Sequence, residues 1–259
     1  MNPTELARQA GLLAAAAIDR SPLSPLSARL PDITLDDAYR IQQRWLQLRL
    51  DAGERLVGHK IGVTSDAVMA MLNVAEPDFG HLTSAMLYAD QTVPYDTLIA
   101  PMAEGEIAFL LAADLAGPGI TEADVLRATR CVMPCLEVVD SRIRDWHITI
   151  IDTVADNASS AGFVLGDGAA DPHAIDLATV GMTLEKNGVV VATGAGAAAL
   201  GHPLTAVAWL ANTLGSLGQT LRAGQVILSG SLAAMVPVQR GDIVRMRLGA
   251  IGAAEVRFI

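Results

Sequence analysis

Long apolar runs are missing from this chain: no stretch reaches the roughly 18 residues that a transmembrane helix requires. The nearest imitation of a secretory leader, Ala10–Ile18, has Arg8 balanced by Glu5 ahead of it and no good small-residue cleavage site, so a cytoplasmic protein is expected. Cysteine is scarce, with only Cys131 and Cys135. In an extended segment, residues four apart stand roughly 13 Å from each other, too far for a disulfide, and two thiols at this spacing make no zinc site. They are expected to be reduced, buried fillers. An excess of positive charge is also lacking: 18 Lys and Arg face 28 Asp and Glu, a net charge of −10. That argues against nucleic acid and against an anionic membrane surface as partners, but not against an anionic small substrate beside a bound metal. Aromatics make up only 4%, yet 51% of the residues are hydrophobic and 18% charged. A packed globular protein of one large or two small domains follows, with no internal repeat or low-complexity tract.

What is present is organised around Ala103-Glu104-Gly105-Glu106-Ile107-Ala108-Phe109-Leu110-Leu111. This apolar run, bounded by Pro101 and the turn region 114–119, reads as a strand. Side chains two apart share a face, so Glu104 and Glu106 point the same way, while Gly105 leaves the opposite face open to close approach. Paired carboxylates at a buried strand repel each other and lose hydration. Either solvent with Arg or Lys partners relieves that, or a divalent cation does. A third carboxylate, Glu137, lies in the apolar segment Cys135–Asp140, where an isolated Glu is costly unless paired or liganded. Three carboxylates on adjacent strands suit a hard cation, Mg²⁺ or Mn²⁺. The five histidines are scattered, with no pair at ligand spacing on a helix.

In chain order, Asn2 caps a helix running towards Asp19, with Pro3 at its first position and Glu5 closing a capping box. A Pro/Ser-rich connector spans 21–31. Thr34 caps a second helix whose Ala38, Ile41, Trp45 and Leu48 recur on one face, with Gly53 as its stop. Residues 1–54 thus read as an N-terminal helical subdomain and 55–259 as a β-rich catalytic core. Strands are expected at 56–63, 106–111, 134–139, 161–165, 183–185, 189–192, 226–229, 243–248 and 255–259. Helices are expected at 67–72, 121–129 and 204–217. Lys186-Asn187-Gly188 signals a hairpin and Pro77-Asp78-Phe79-Gly80 a turn. The segment Val189–Ala199 imitates a dinucleotide-binding Gly-x-Gly-x-x-Ala pattern, but on the return arm of a hairpin and with no ribose-binding acid between Lys186 and Arg240. The fold class is α+β with a β-dominated core.

Gly58–Ser65, Pro77–Gly80, Glu104–Phe109, Glu137–Arg142, Asp152–Ser160 and Val226–Leu232 occur in that order. As an ordered set they resemble the 2-keto-4-pentenoate hydratase and 4-oxalocrotonate decarboxylase family, within the fumarylacetoacetate hydrolase superfamily. The resemblance covers nearly the whole chain, most weakly the first 30 residues. It implies a mixed, barrel-like or rolled-sheet core with an N-terminal helical part, a homo-oligomer, and a Mg²⁺- or Mn²⁺-dependent enzyme. It also implies action on the dienol acids left by meta-cleavage of aromatic rings. Glu104, Glu106 and Glu137 become metal ligands, Lys60 and Asp78 polar residues near the substrate, and Ser160 a residue of a motif beside the site.

The chemistry is coherent with that mapping. A 2-hydroxy-2,4-dienoate presents a carboxylate and an enol oxygen to one hard cation, and hydration at C4 then needs an activated water. Other readings stay open: Lys60 as a surface charge, Asp78 as a turn former, Ser159 and Ser160 as backbone caps. Asp78 within Pro-Asp-Phe-Gly resembles the hydratase form, so hydration is the expected reaction. A 4-oxalocrotonate decarboxylase is the alternative. A third reading is a non-catalytic subunit of such an enzyme, since hydratases and decarboxylases of this family can associate.

Overall fold

The computed structural model describes residues 1–259. Helix α1 (Pro3–Asp19) begins where the Asn2 side chain accepts from the Glu5 amide. The other half of the expected capping box is not made, because the Glu5 carboxylate is taken by Arg8 and Gln9 one turn on. A single-turn helix, α2 (Leu26–Arg29), sits inside the expected connector. Helix α3 (Leu35–Asp51) has the full reciprocal box between Thr34 and Asp37. Ala38, Ile41 and Trp45 are buried as the periodicity predicts, whereas Leu48 is 46% exposed. The buried stripe follows the i+4 rows 37–41–45 and 38–42–46, and those rows drift away from Leu48.

Strand β1 (Leu56–Gly62) leads through α4 (Asp66–Leu72), capped by Ser65, to β2 (Asp78–Thr83). The turn expected over Pro77–Gly80 is instead the start of this strand, and every residue of β2 is buried. The backbone of Asp78 pairs with Gly62 and that of Gly80 with Lys60, so strand pairing overrides the local turn preference. There follow β3 (Thr92–Val93), β4 (Met102–Leu111), α5 (Glu122–Ala128), β5 (Thr129–Val139), α6 (Ile150–Ala155) and β6 (Ser160–Leu165). The chain closes with β7 (Gly181–Lys186), β8 (Val189–Ala195), α7 (Pro203–Ser216), β9 (Val226–Leu228), β10 (Val236–Pro237), β11 (Ile243–Leu248) and β12 (Gly252–Phe258). Strands β3 and β10 and helix α6 were not expected, being too short to carry a periodic signal. Asn187 and Gly188 turn the β7–β8 hairpin with φ of 53° and 80°, the left-handed pair a tight hairpin needs.

The strands form two sheets. One runs β2-β1-β9-β4-β5-β6, with β10 beside β4, and the other runs β3-β12-β11-β7-β8. Both are mixed, since β1 lies parallel to β9 and β12 parallel to β3 while the other pairings are antiparallel. The main apolar cluster joins residues of both, among them Ile107, Phe109, Leu136, Met182, Val244 and Met246. Gly105 allows this approach, because a Cβ there would press on Met182 and Met246. In the Val189–Ala199 segment the glycines serve packing of the same kind: side chains at Gly194 and Gly196 would strike the carbonyls of Leu232 and Leu177. Helices α1 and α3 share a second cluster with Ile143, Val154 and Ala155. The architecture is α+β and β-dominated, as the sequence predicts.

Candidate active site

The register between β4 and β5 sets Glu104 directly opposite Glu137 and Glu106 opposite Cys135. With the two-residue alternation along β4, all three carboxylates stand on one sheet face, away from the main core. One oxygen from each lies within 4.8 Å of the others. Glu106 and Glu137 are fully buried. Glu106 accepts one hydrogen bond, from the Gly230 amide at 2.8 Å, and its Oε1 and both oxygens of Glu137 have none. The one cation near them is Lys60, whose Nζ lies 3.4 Å from Glu137 Oε1, at ion-pair distance without hydrogen-bond geometry. Burial, reinforced by Glu137 and Asp78, raises Glu104 to about 7 against the pull of Lys60. Burial, with Glu137 and Glu104, drives Glu106 well above the usual carboxylate range. A hard divalent cation fits this donor set: it is all oxygen, crowded with like charge, and holds buried acceptors that nothing in the chain satisfies.

Lys60 reaches this face from β1, buried at 4% exposure, so it is not a surface charge. Burial alone would lower its ammonium, but the carboxylates of Glu137, Glu104, Asp78 and Glu106 outweigh that and hold it above its ordinary value. Gly62 follows two residues later because the Asp78 carboxylate occupies the space a Cβ would need. Asp78 is buried and neither oxygen has a hydrogen-bond partner. Burial lifts it to about 6; Lys60 opposes the rise, Glu137 adds to it, and the amides of Asp78 and Gly62 temper it from outside bonding geometry.

Lys60, Asp78 and Glu104 open into a cavity of about 520 Å³, walled by α4, by the loop around Ala233–Met235 and by the segment ending α6. On that last wall Asn157, Ala158 and Ser159 are consecutively left-handed, with φ of 56°, 50° and 54°. Such backbone persists only where its surroundings over-determine it. Here the Asn157 amide grips β2, accepting from His81 N at 2.8 Å and donating to His81 O at 2.9 Å. Behind it, Arg142 Nε donates to Asp156 Oδ1 at 2.6 Å and Nη2 to Asp156 O at 2.6 Å, with the Trp45 ring 5.2 Å from the guanidinium. Ser159 faces the cavity. Ser160 opens β6 opposite Val139, and its hydroxyl is buried without a partner.

Sequence reasoning missed several of these residues. Arg142 and Asp156 meet through a loop closure that no local pattern encodes. His59 and His81, 22 residues apart, stand together across β1 and β2 with Nδ1 atoms 3.3 Å apart. Burial keeps both imidazoles neutral, lowering His81 to about 4, and alternation puts His59 on the face opposite Lys60. Cys135 is buried as expected, whereas Cys131 is only half-buried; both are free thiols.

The profile of the fumarylacetoacetate (FAA) hydrolase C-terminal family matches residues 65–259. A protein of Pseudomonas putida described as 2-hydroxypent-2,4-dienoate hydratase is 60% identical over 205 residues, covering 78% of this chain and 92% of its own. A 2-hydroxyhexa-2,4-dienoate hydratase of Comamonas testosteroni is 52% identical over 239 residues, 91% of this chain and 90% of its own. Among solved structures, 4-oxalocrotonate decarboxylase from Pseudomonas putida G7, complexed with magnesium and adipate, superposes with a TM-score of 0.97 at 38% identity. The match spans 100% of this chain and 99% of that one. No helix here is long and apolar enough to cross a membrane.

Proposed function

The chain belongs to the fumarylacetoacetate hydrolase family, and from that premise we propose that it is a hydro-lyase using a divalent metal, Mg²⁺ or Mn²⁺. Its reaction adds water to 2-hydroxypenta-2,4-dienoate or a close homologue, giving 4-hydroxy-2-oxopentanoate in the meta-cleavage route of aromatic catabolism. The observation that carries this reading is the carboxylate trio, with the unsatisfied oxygens of its two fully buried members, Glu106 and Glu137, beside Lys60 and Asp78. Glu104, Glu106 and Glu137 would hold the metal. When bound, it supplies Lewis-acid stabilisation of negative charge developing on the substrate's oxygens.

The chain's own residues do the rest. Lys60 offsets the charge of Glu137 and of the substrate carboxylate. Ketonisation moves the enol proton away and delivers a proton to C5. Water then adds across C3 and C4, its oxygen going to C4 and a proton to C3. Asp78, with two free oxygens facing the cavity, takes the proton from that water. Left-handed Ala158 and Ser159 shape the wall against which the substrate lies, and the buried Ser160 stands behind them as the third candidate polar group. A cytoplasmic location belongs to the same proposal; so do a homo-oligomer and a second pathway enzyme as partner, which rest on the family resemblance alone.

Decarboxylation is the competing reading, favoured by the likeness to the 4-oxalocrotonate decarboxylase structure. It requires no activated water, so Asp78 separates the two. Asp78→Asn keeps the shape but is a far poorer base, and hydration should fall roughly 10²–10⁴-fold while ketonisation changes little. C5 deuterium exchange and 4-hydroxy-2-oxo acid formation, followed separately in D₂O with Mg²⁺, measure the two steps. Equal small effects on both would remove Asp78 from the water-addition step. Release of CO₂ from 4-oxalocrotonate without hydration of the dienoate would establish the decarboxylase instead.

A further inference from the structure

Taking the hydratase reading as its basis, we infer that the cavity selects dienoates whose tail beyond C5 is uncharged and rejects those that end in a second carboxylate. The charges lining the cavity are Lys60, Asp78 and Glu104, and all three belong to the seven-stranded sheet. They cluster at one end: Asp78 pairs across from Gly62, and Lys60 lies against Glu137, the neighbour of Glu104. The remaining wall is uncharged and mostly apolar, with the hydroxyls of Thr64, Ser65, Thr153, Ser159 and Ser231 set among hydrophobic side chains. Helix α4 contributes Ala67, Val68, Met71 and Leu72, and the facing loop contributes Ala234 and Met235. No arginine and no second lysine lines the space.

A substrate anchored by its carboxylate and 2-oxygen at the sheet end sends its tail towards these side chains. A methyl or ethyl tail buries apolar surface there. A distal carboxylate would be desolvated with no cation to meet it, and an unpaired buried charge is strongly disfavoured. The sheet end gives no electrostatic relief either, since Glu104, Glu106, Glu137 and Asp78 outnumber Lys60 even after a divalent cation is counted. Met71 and Met235 are 69% and 38% exposed, which places them at the opening. Flexible thioethers at the rim accommodate tails of differing length without offering a charge.

The test compares kcat/KM for 2-hydroxyhexa-2,4-dienoate and 2-hydroxyhepta-2,4-dienedioate, with Mg²⁺ at saturation. It is paired with calorimetric Kd values for 2-oxohexanoate and 2-oxoadipate, which lack the reacting double bond. The monoacid should be favoured at least tenfold in both measurements. Met235→Arg, which sets a cation at the mouth on a half-exposed position, should narrow the kcat/KM ratio at least tenfold, while Met235→Gln, polar but uncharged, should not. Diacid and monoacid handled within tenfold of each other by the wild type would overturn the selectivity while leaving the hydratase reading intact. So would a Met235→Arg ratio equal to that of Met235→Gln. Hydration of neither dienoate would sink the hydratase reading instead, and the two Kd values would then decide the selectivity alone.

Discussion

Two ion pairs in this protein are buried to the same extent and built in opposite ways. In Arg142–Asp156 and in Lys60–Glu137 alike, the cationic side chain is 4% exposed and the carboxylate 0%. Around Arg142 the donors are satisfied: Nε meets Asp156 Oδ1, Nη2 meets Asp156 O, and Nη1 reaches the carbonyls of Asp140 and Ser160. The Arg142 amide and the Ser141 hydroxyl complete the Asp156 carboxylate. Burial lifts Asp156 to about 6 against the pull of Arg142. Around Lys60 the pattern is reversed, with no hydrogen bond to Glu137 and three further carboxylates competing for one ammonium. A pair whose polar atoms are all matched belongs to the fold. A pair left unmatched at the same depth is consistent with the proposed metal and substrate site.

The largest expected effect breaks the first pair. Arg142→Ala strands Asp156 without a cation and frees the carbonyls of Asp140 and Ser160, and stability should fall by roughly 3–5 kcal/mol. Urea unfolding followed by far-ultraviolet circular dichroism measures it, and added Mg²⁺ should not restore it, because Arg142 lies outside the carboxylate trio. A loss below about 1 kcal/mol would mean that the loop from Asp140 to Ser160 is held by other contacts.

The contrast between the pairs also explains what could be read in advance. That Glu104 and Glu106 share a face follows from strand periodicity alone, and a lone glutamate in Cys135–Asp140 announces itself by its cost. That Glu137 stands opposite Glu104 is a matter of register between strands, which a single strand's pattern does not contain. Asp78 was legible as polar but not as buried, since Pro-Asp-Phe-Gly satisfies turn chemistry and the pairing of β2 with β1 decides otherwise. Arg142 and Asp156 lie 14 residues apart, joined by an irregular segment and the short helix α6, so neither helical nor strand spacing relates them. Most helices and strands were legible because each carries a cap, a periodic face or a turn signature. The two-residue strands carry none.

A smaller effect sharpens the second half of the comparison. Glu106→Gln keeps the volume of the side chain and removes the carboxylate that would ionise to hold a metal. Metal-free stability should stay within about 1 kcal/mol of wild type, since burial and the neighbouring carboxylates already push Glu106 towards its neutral form. Affinity for Mn²⁺, measured by titration calorimetry, should fall on the order of 10²-fold, about 2.7 kcal/mol. The rise in Tm that saturating Mg²⁺ gives the wild type should shrink in step. An unchanged Mn²⁺ affinity would show that the trio is not the ligand set.

The smallest effect tests whether Lys60 and Arg142 truly differ in kind. Lys60→Met retains the packing of the aliphatic stem in its buried setting and removes only the charge. If the ammonium offsets negative charge on the substrate, kcat/KM should drop at least tenfold, about 1.4 kcal/mol of transition-state stabilisation. Without metal the variant should also lose stability, because Glu137 has then lost its only nearby cation. With saturating Mg²⁺ that loss should close to within about 1 kcal/mol, since an ion bound by the native state alone stabilises it and takes over the neutralisation. Arg142→Ala has no such rescue, so urea curves of the two variants with and without Mg²⁺ form a four-way comparison. Should Mg²⁺ leave Lys60→Met as unstable as it leaves Arg142→Ala, Lys60 would be a structural cation like Arg142. The unmatched oxygens of Glu137 would then need an explanation other than a metal.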